Sequence, residues 1–259
     1  MCSSPASRLP ALRPTVRLDR LLSNLGYASR REVALACRAG SVTLNGEVIT
    51  KADYAVPMAL ARAGALQFDG EVVDAISPLT LMLNKPLNYT CSNKGPGALV
   101  YDLLPARFRL RKPALSTVGR LDKDSSGQLL FTDDGDLLHR IIHPKTHAPK
   151  HYRVHLQNPL RGDEAARFAS GALILQDDDK PLKPAIWQAE SASSGVLILT
   201  EGRYHQVRRM FAALGNHVTA LHRFQTGGLA LGELAEGAYQ ILSVSELQGI
   251  FAPLPSIPV

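Results

Sequence analysis

The amino-acid sequence predicts an α+β fold that is divided into two modules. Two short helix patterns and two hairpin patterns come first, and the longer remainder alternates buried-strand patterns with single helices. A chain of 259 residues is long enough for two domains with separate hydrophobic cores. We therefore expect a flexible leader over residues 1–14, a small domain over 15–75 and a larger domain over 79–250.

The composition is that of a globular protein in a reducing compartment. Hydrophobic residues make up 45% of the chain and charged residues 20%. No apolar run approaches the roughly 18–20 residues that span a bilayer, and the first 14 residues lack the apolar segment of a signal peptide. Cys2, Cys37 and Cys91 form no CxxC pair, so they predict neither a zinc site nor a disulfide framework. We expect a cytoplasmic protein with no metal and no membrane contact.

The distribution of charge favours a polyanionic partner. The formal net charge is +6 and the sequence pI is about 9.3. Residues 80–155 contain 12 Lys and Arg against 6 Asp and Glu, whereas residues 226–259 contain no Lys or Arg and 3 Glu. A basic middle beside an acidic tail indicates one face suited to nucleic acid, although a solvated basic surface is the simpler interpretation.

The small domain begins with a short amphipathic helix. Leu18, Leu21, Leu22 and Leu25 repeat at the spacing that places them on one helical face, and Gly26 ends the helix. We expect these leucines to form the core of the small domain.

A second helix and two hairpins follow. Ser29 and Glu32 have the spacing of a capping box, which predicts the start of the second helix. Asn-Gly and Asp-Gly pairs between apolar residues predict hairpins over 41–49 and 66–73.

Three stretches of the small domain resemble the S4-like RNA-binding domain of ribosomal proteins and RNA-modifying enzymes. These stretches are residues 17–19, 29–31 and 40–46. The resemblance implies that this domain binds RNA, with Arg17, Arg30 and Arg31 as candidate contacts. Arginines near the first turn of a helix can also meet phosphates on physical grounds.

The larger domain is organised around one charged loop. Residues 119–127 are Gly-Arg-Leu-Asp-x-x-Ser-Ser-Gly, and an apolar run over 129–132 and an Asp-Asp-Gly turn over 133–135 follow. A loop with charges of both signs that leads into a buried strand either displays chemistry or is a solvated turn, and its composition leaves both interpretations open.

This loop resembles the active-site motif of pseudouridine synthases, in the branch that modifies single uridines of ribosomal RNA. The resemblance implies a catalytic domain with a mixed or antiparallel sheet, no cofactor, and Asp122 as the catalytic carboxylate. It also places Arg120 where its side chain could fill the gap left by a flipped-out base.

A second motif of the family is matched by Lys-x-Tyr-x-Val over residues 150–154. The resemblance implies that Tyr152 lies over the target base, and it makes Lys150 a candidate RNA contact. From the residues alone, a strand tyrosine would be assigned to cross-strand packing.

A third motif, Gly-Arg-x-His-Gln-Val-Arg over residues 202–208, begins a predicted helix. The resemblance implies that Arg208 pairs with the catalytic aspartate, whereas helical periodicity by itself does not choose between Arg208 and Arg203. We take Arg203 and His205 as further RNA contacts.

Three other patterns are open or misleading. The basic run of Arg107, Arg109, Arg111 and Lys112 could contact phosphate or form an exposed loop, and the sequence supports both equally. The acidic turn over 177–179 resembles a cation site, but we expect a solvated loop. Five histidines recur at every fourth residue over 139–155, yet Pro144 and Pro149 would break the helix that could stack them, so we expect no metal there.

Isomerisation of uridine to pseudouridine breaks the bond between the base nitrogen and the ribose and rejoins the base through carbon 5. It requires a carboxylate acting as nucleophile or base, a cation that keeps the carboxylate ionised, and a wall that holds the detached uracil. Asp122, Arg208 and Tyr152 are the candidates, and the sequence does not decide between nucleophile and base.

The stretch 204–218 is especially similar to the branch of this family that acts on 16S ribosomal RNA, which we therefore favour as the substrate. Small-subunit assembly intermediates are possible partners, and a monomer is expected. The alternatives are an enzyme of the same family that acts on 23S ribosomal RNA and a non-catalytic RNA-binding factor of ribosome assembly.

Overall fold

The computed structural model describes residues 14–76, 78–143 and 148–252, and it divides the chain into two compact units. The first unit extends to residue 78 and also contains residues 106–115, and the second contains 79–105 and the chain from 116 onward. The stretch 106–115 returns to the first unit, which the sequence did not predict. The expected leader falls almost entirely on residues 1–13, outside the described residues.

The first unit has three α-helices and six strands within its described residues, and a 3₁₀ helix covers Ala106–Leu110. They are β1 Thr15–Arg17, α1 Leu18–Asn24, α2 Arg30–Arg38, β2 Val42–Leu44, β3 Glu47–Val48, β4 Ala55–Pro57, α3 Met58–Arg62, β5 Leu66–Phe68 and β6 Glu71–Val72. Strands β3, β2, β5 and β6 form one antiparallel sheet, and β1 pairs with β4. Both predicted helices and both hairpins are confirmed. The sequence missed β1, β4 and α3, because three to five residues are too few to show a period.

The local signals of the first unit act as their chemistry predicts. Leu18, Leu22 and the other leucines of α1 are buried in its core. The Ser29 hydroxyl accepts the Glu32 N–H, and the Glu32 carboxylate accepts the Ser29 N–H, which completes the capping box. In the first hairpin Asn45 adopts a positive φ of 53°, which this turn type requires.

Two arginines of the basic run at 107–112 bond within the first unit, whereas Arg109 and Lys112 are exposed. Arg107 Nη2 donates to Asp74 Oδ1 at 2.8 Å, and its guanidinium lies over the Tyr27 ring at 5.3 Å from the centroid. Arg111 is 3% exposed and donates to the Ala75 carbonyl at 3.0 Å. These two arginines therefore hold segment 106–115 within the unit, a role that neither sequence interpretation included.

The second unit contains four helices and nine strands within its described residues. They are β7 Thr80–Lys85, β8 Ser116–Thr117, β9 Ser126–Thr132, α4 Gly135–Ile142, β10 Lys150–Leu156, α5 Glu164–Ala169, β11 Ile186–Ser191, β12 Ser194–Leu199, α6 Gln206–Ala212, β13 Val218–Thr226, β14 Leu229–Ala230, β15 Tyr239–Ile241 and α7 Val244–Gly249. A 3₁₀ helix covers Val100–Leu103. The expected helix at 167–172 lies three residues earlier, as α5, because the Glu164 carboxylate accepts the N–H groups of Arg161 and Gly162 and so begins it there.

The strands of the second unit form one mixed sheet. Its order is β11-β12-β10-β13-β9-β7-β15, with β14 paired to β13 and β8 paired to β9. The pair formed by β9 and β13 is parallel, and the other pairs are antiparallel. The α+β class is therefore confirmed.

Close approach at the parallel pair explains the last glycine of the charged motif. Ser126 pairs with His222, and Gly127 pairs with Arg223. Gly127 has a φ of +104°, and a Cβ at this position would lie 2.1 Å from the Arg223 carbonyl oxygen. Only glycine permits this backbone spacing, and so the motif can enter β9 directly beside β13.

The histidine pattern does not lie on one helix. His139 belongs to α4, whereas His151 and His155 belong to β10, and His147 lies outside the described residues. In the described part of the chain, no helix is long and apolar enough to cross a membrane.

Substitution of Gly127 by alanine should destabilise the second unit by roughly 3–5 kcal/mol, since it combines a left-handed backbone with a direct clash. Gly119→Ala is the matched control: Gly119 has a φ of +71° but no atom within 4 Å of the added Cβ. We expect about 1–2 kcal/mol there. Free energies of unfolding in urea check both values, and equal losses would contradict the role of the β9–β13 approach.

Candidate active site

A cleft of about 300 Å³ in the second unit contains most of the predicted site residues. Its walls are the loop 119–125, Tyr152 on β10, the loop 201–205 and the start of α6. Arg120, Asp122, Arg203, His205 and Arg208 line it. The volume lies at the lower end of small-ligand sites.

Two of the other cavities are lined by predicted RNA-binding residues. One of about 170 Å³ adjoins the cleft, shares Arg120 and Tyr152 with it, and is lined by Lys150. A larger one of about 520 Å³ lies within the first unit, where Arg17, Arg20 and Lys112 line it without any carboxylate or imidazole. The larger cavity therefore lacks a carboxylate or imidazole among its lining residues, and we take the smaller cleft as the candidate active site.

The Asp122 loop is held in place by the last residue of β7 and by the segment that follows it. The Lys85 ammonium donates to the Ser125 carbonyl at 2.7 Å, the Asn88 N–H donates to the Lys123 carbonyl at 2.8 Å, and the Cys91 sulfur accepts the Leu121 N–H at 3.4 Å. These contacts bracket Asp122 on both sides in sequence, and they fix its backbone while its side chain stays 32% exposed to the cleft.

Lys85 was missed by the sequence analysis. Its side chain is fully buried, and its ammonium also donates to the Pro86 carbonyl at 2.9 Å. Burial lowers the pKa of Lys85, while the nearby Asp124 and Asp122 carboxylates oppose that shift. The sequence does show a lysine at the end of an apolar strand. A charged residue in that position normally marks the point where a strand leaves the core, so the burial of Lys85 was not predicted.

Replacement of Lys85 by methionine should leave the Ser125 and Pro86 carbonyls without their donor, at a cost of roughly 2–5 kcal/mol to the stability of the second unit. Urea unfolding measures this loss. The exposed Lys94, changed to methionine, is the control and should change stability by less than about 0.5 kcal/mol. Similar losses for the two variants would contradict the clamp.

Arg208 contacts Asp124 and not Asp122. Its Nη2 lies 2.9 Å from the Asp124 carboxylate and also donates to the Asp124 carbonyl, and its Nη1 donates to the Val218 carbonyl at 2.8 Å. The expected pairing of Arg208 with Asp122 is therefore wrong in this structure. The reason is that the Arg208 guanidinium bonds at the same time to the Val218 carbonyl on β13 and to Asp124 in the charged loop.

The His205 imidazole is the ring in contact with Asp122. Its Nε2 lies 3.5 Å from Asp122 Oδ1, a contact that is ionic when the imidazole is protonated. His205 directly precedes α6 with a φ of +46°, so the left-handed backbone of one residue turns its ring toward the carboxylate. The sequence placed His205 in the site but did not identify this contact.

A β-bulge directs Tyr152 into the cleft. In the pairing of β10 with β13, His151 lies opposite Gln225 and Tyr152 lies opposite Arg223, so Phe224 is skipped. Bulges of this kind change the direction of a side chain next to a functional site. Tyr152 is half-buried against the core cluster that also contains Val154.

Arg203 is committed to internal bonds. It donates to the Asp178 carboxylate at 2.7 Å and to the carbonyls of Lys180 and Pro181. Arg209 also binds Asp178, at 2.7 Å. The expectation of a solvated loop at 177–179 is therefore wrong for Asp178, which joins two arginines and holds the loop before α6.

The remaining candidate cations differ in their freedom. Arg120 is exposed at the cleft and makes no hydrogen bond or ion pair with the described residues. In the first unit Arg17 pairs with Asp19 at 3.0 Å, whereas Arg30 and Arg31 are exposed in the first turn of α2. Arg120, Arg30 and Arg31 thus have surfaces that suit phosphate contact, and the Arg17 side chain also remains 58% exposed beside Asp19.

Lys150 is partly buried among like charges. Burial lowers the pKa of its ammonium to about 8, with further lowering by Arg223 and Lys183. Glu201 and Arg120 line the same cavity. A partly buried ammonium beside other cations suits an anion such as a phosphodiester.

An α+β chain with a clamped carboxylate in a cleft lined by arginines suits an enzyme that acts on a polyanion such as RNA, and comparison with known proteins gives its family. The family model described as RNA pseudouridylate synthase matches residues 80–213, and the S4 domain model matches residues 16–58. The chain therefore belongs to the RNA pseudouridylate synthase family, and its first unit contains an S4 domain.

Individual relatives extend over nearly the whole chain. Ribosomal small subunit pseudouridine synthase A of Yersinia pestis is 38% identical over 92% of this chain and 99% of its own length. The protein of the same name from Escherichia coli K12 is 36% identical over 91% and 100%. A crystal structure described as a pseudouridylate synthase superposes with a TM-score of 0.64 at 35% identity, over 91% of this chain and 99% of that one. The predicted family and fold are confirmed.

Proposed function

We propose that this protein converts one uridine of 16S ribosomal RNA to pseudouridine. The observation that carries the proposal is the fixed position of Asp122, which is clamped through its neighbours and faces a cleft lined by Tyr152, Arg120 and His205. The similarity to enzymes named for the ribosomal small subunit supports this RNA.

The groups in the cleft suit the reaction. Asp122 acts at the ribose as nucleophile or base while the bond from the base nitrogen to C1′ breaks and a bond from C5 to C1′ forms. The C5 proton leaves and the base nitrogen gains one, so the formula is unchanged and no redox partner is required. Tyr152 stacks on the detached uracil and keeps it in place.

Two buried donors in the cleft wall lack partners among the described residues. They are Arg208 Nε and the Ser125 hydroxyl, of which the latter belongs to a residue only 1% exposed. Buried polar atoms cost free energy when unpaired, so this wall of the cleft is under strain at two points. Arg208 serves the site by holding Asp124 and the Val218 carbonyl.

Substrate binding is divided between the two domains. Residues 15–75 act as the RNA-binding domain, with Arg17, Arg30 and Arg31 on phosphates, and 79–250 as the catalytic domain. Arg120 fills the gap left by the flipped uridine, Lys150 contacts a phosphate, and Arg203 positions the loop that carries His205. The protein acts as a cytoplasmic monomer, on ribosomal RNA or on small-subunit assembly intermediates.

Pseudouridine mapping tests the proposal. 16S and 23S ribosomal RNA, as unmodified transcripts and as partly assembled particles, are treated with wild-type protein, Asp122→Asn and the control Asp136→Asn. Asp136 is an exposed carboxylate in the first turn of α4, away from the cleft. We expect one new pseudouridine in 16S RNA with wild type and control and at least a 1,000-fold lower rate with Asp122→Asn, since loss of a reacting group removes most of the acceleration.

Each of the other outcomes would change a different part of the proposal. A product in 23S RNA would keep the mechanism and overturn the substrate. Salt-sensitive binding with no product in any RNA would instead favour the assembly factor. Turnover by Asp122→Asn at the wild-type rate would remove the catalytic assignment.

The pKa of Lys150 predicts an alkaline limit to RNA capture. About nine-tenths of the ammonium is charged at pH 7 and about one-tenth at pH 9, so kcat/KM should fall as pH rises through 8. Lys150→Arg keeps its charge throughout this range, and its profile should lose that decline. Identical profiles for both proteins would show that another group sets the limit.

A further inference from the structure

One aromatic residue at the cleft is exposed far beyond its neighbours. Tyr204 lines the cleft with 73% of its surface exposed, whereas Tyr152 is half-buried. Its ring stacks on the His205 imidazole, with centroids 4.0 Å apart and planes at 14°. A solvent-exposed ring of this size is a cost in the free protein, because apolar surface favours burial.

The backbone beneath this ring is held from both sides. Arg203, which precedes it, is bonded to Asp178 and to two carbonyls. Arg209 on α6 donates to the Tyr204 carbonyl at 3.4 Å and to Asp178 at 2.7 Å. One buttressed loop therefore presents the exposed ring in a fixed place.

The next residue adds backbone strain. His205 has a φ of +46°, a left-handed conformation that costs a residue with a Cβ about 1–2 kcal/mol. The Gln206 side chain accepts the Arg203 N–H at 2.8 Å and donates to Glu201 at 3.0 Å, which closes this loop on itself. The strained geometry is what brings the two rings parallel at the mouth of the cleft.

We infer that the stacked pair of Tyr204 and His205 is a platform for an unpaired nucleobase of the RNA next to the target uridine. The inference rests on the proposed function and adds a substrate feature to it. The target base lies inside the cleft against Tyr152. The exposed Tyr204 ring receives a neighbouring base of any identity, because every base has a face that stacks. The platform selects uridines whose neighbour is unstacked.

The test is a cycle of protein and RNA changes. Tyr204→Ala, Tyr204→Phe and the control Val244→Ala are assayed on a short 16S oligonucleotide spanning the mapped uridine, with an abasic site placed in turn on either side. Val244 is also 73% exposed but lies on α7, away from the cleft. Tyr204→Ala should lower kcat/KM about 5- to 150-fold, the value of one stacked base, while Tyr204→Phe and Val244→Ala stay within about twofold.

The abasic RNA isolates the contact. With the correct neighbour removed, the wild type should fall to the level of Tyr204→Ala, and Tyr204→Ala should lose nothing further. If Tyr204→Ala lowered kcat/KM equally on intact and on abasic RNA, the platform would be overturned. The same would follow if Tyr204→Phe were as weak as Tyr204→Ala.

A binding measurement separates this inference from the proposed function. 2-Aminopurine replaces the neighbouring base, and its fluorescence is measured with Asp122→Asn protein, with and without Tyr204→Ala. Quenching that needs Tyr204 supports the platform and requires no turnover, and its absence overturns it. If mapping finds no product, a mixed-sequence single-stranded RNA with one 2-aminopurine serves as the probe, so the platform is judged even when the enzyme assignment fails.

Discussion

The burial of a single ammonium group, that of Lys85, is the constraint on which the position of Asp122 depends. A charged lysine without solvent is stable only when carbonyl oxygens surround it, and the Ser125 carbonyl supplies one of them. The loop that carries Asp122 must therefore close over the end of β7. The bond from the Lys85 side chain thus gives the loop that carries Asp122 one defined position.

Charge is arranged around this loop in two layers. The deeper one is structural: Lys85 beneath the loop and Arg208 at its far end, where Asp124 takes up the guanidinium. The outer one faces the cleft, where His205 contacts Asp122 and Arg120 is unengaged by the described residues. The Arg208 guanidinium binds Asp124, so one side of the Asp122 carboxylate stays open toward a substrate. A bidentate bond between Arg208 and Asp122 would have covered that side.

Sequence patterns were reliable where one local rule decides the structure. The leucines of α1, the capping box at Ser29 and the Asn45 turn each follow from spacing or backbone preference. Patterns could not give contacts between distant segments. The bond from Lys85 to Ser125 joins residues 40 apart, and the pairing of Asp178 with Arg203 joins residues 25 apart. Periodicity carries no information on either. The pairing of Arg208 with Asp122 came from the family resemblance, which gives the residue but not the carboxylate that its guanidinium binds here.

The residues that carry out the reaction and the exposed residues at the edge of the cleft have different tasks. Breaking and remaking a glycosidic bond needs the same carboxylate, cation and stacking wall at any uridine, so the motif residues cannot tell one RNA site from another. Discrimination must come from groups that touch the nucleotides around the target. Such groups have to be exposed, because the neighbours stay outside the reaction cleft, and also fixed, because a mobile ring would lose its stacking energy to entropy. Tyr204 meets both conditions: it is open to solvent, while Arg203 and Arg209, tied to the same carboxylate of Asp178, hold its backbone.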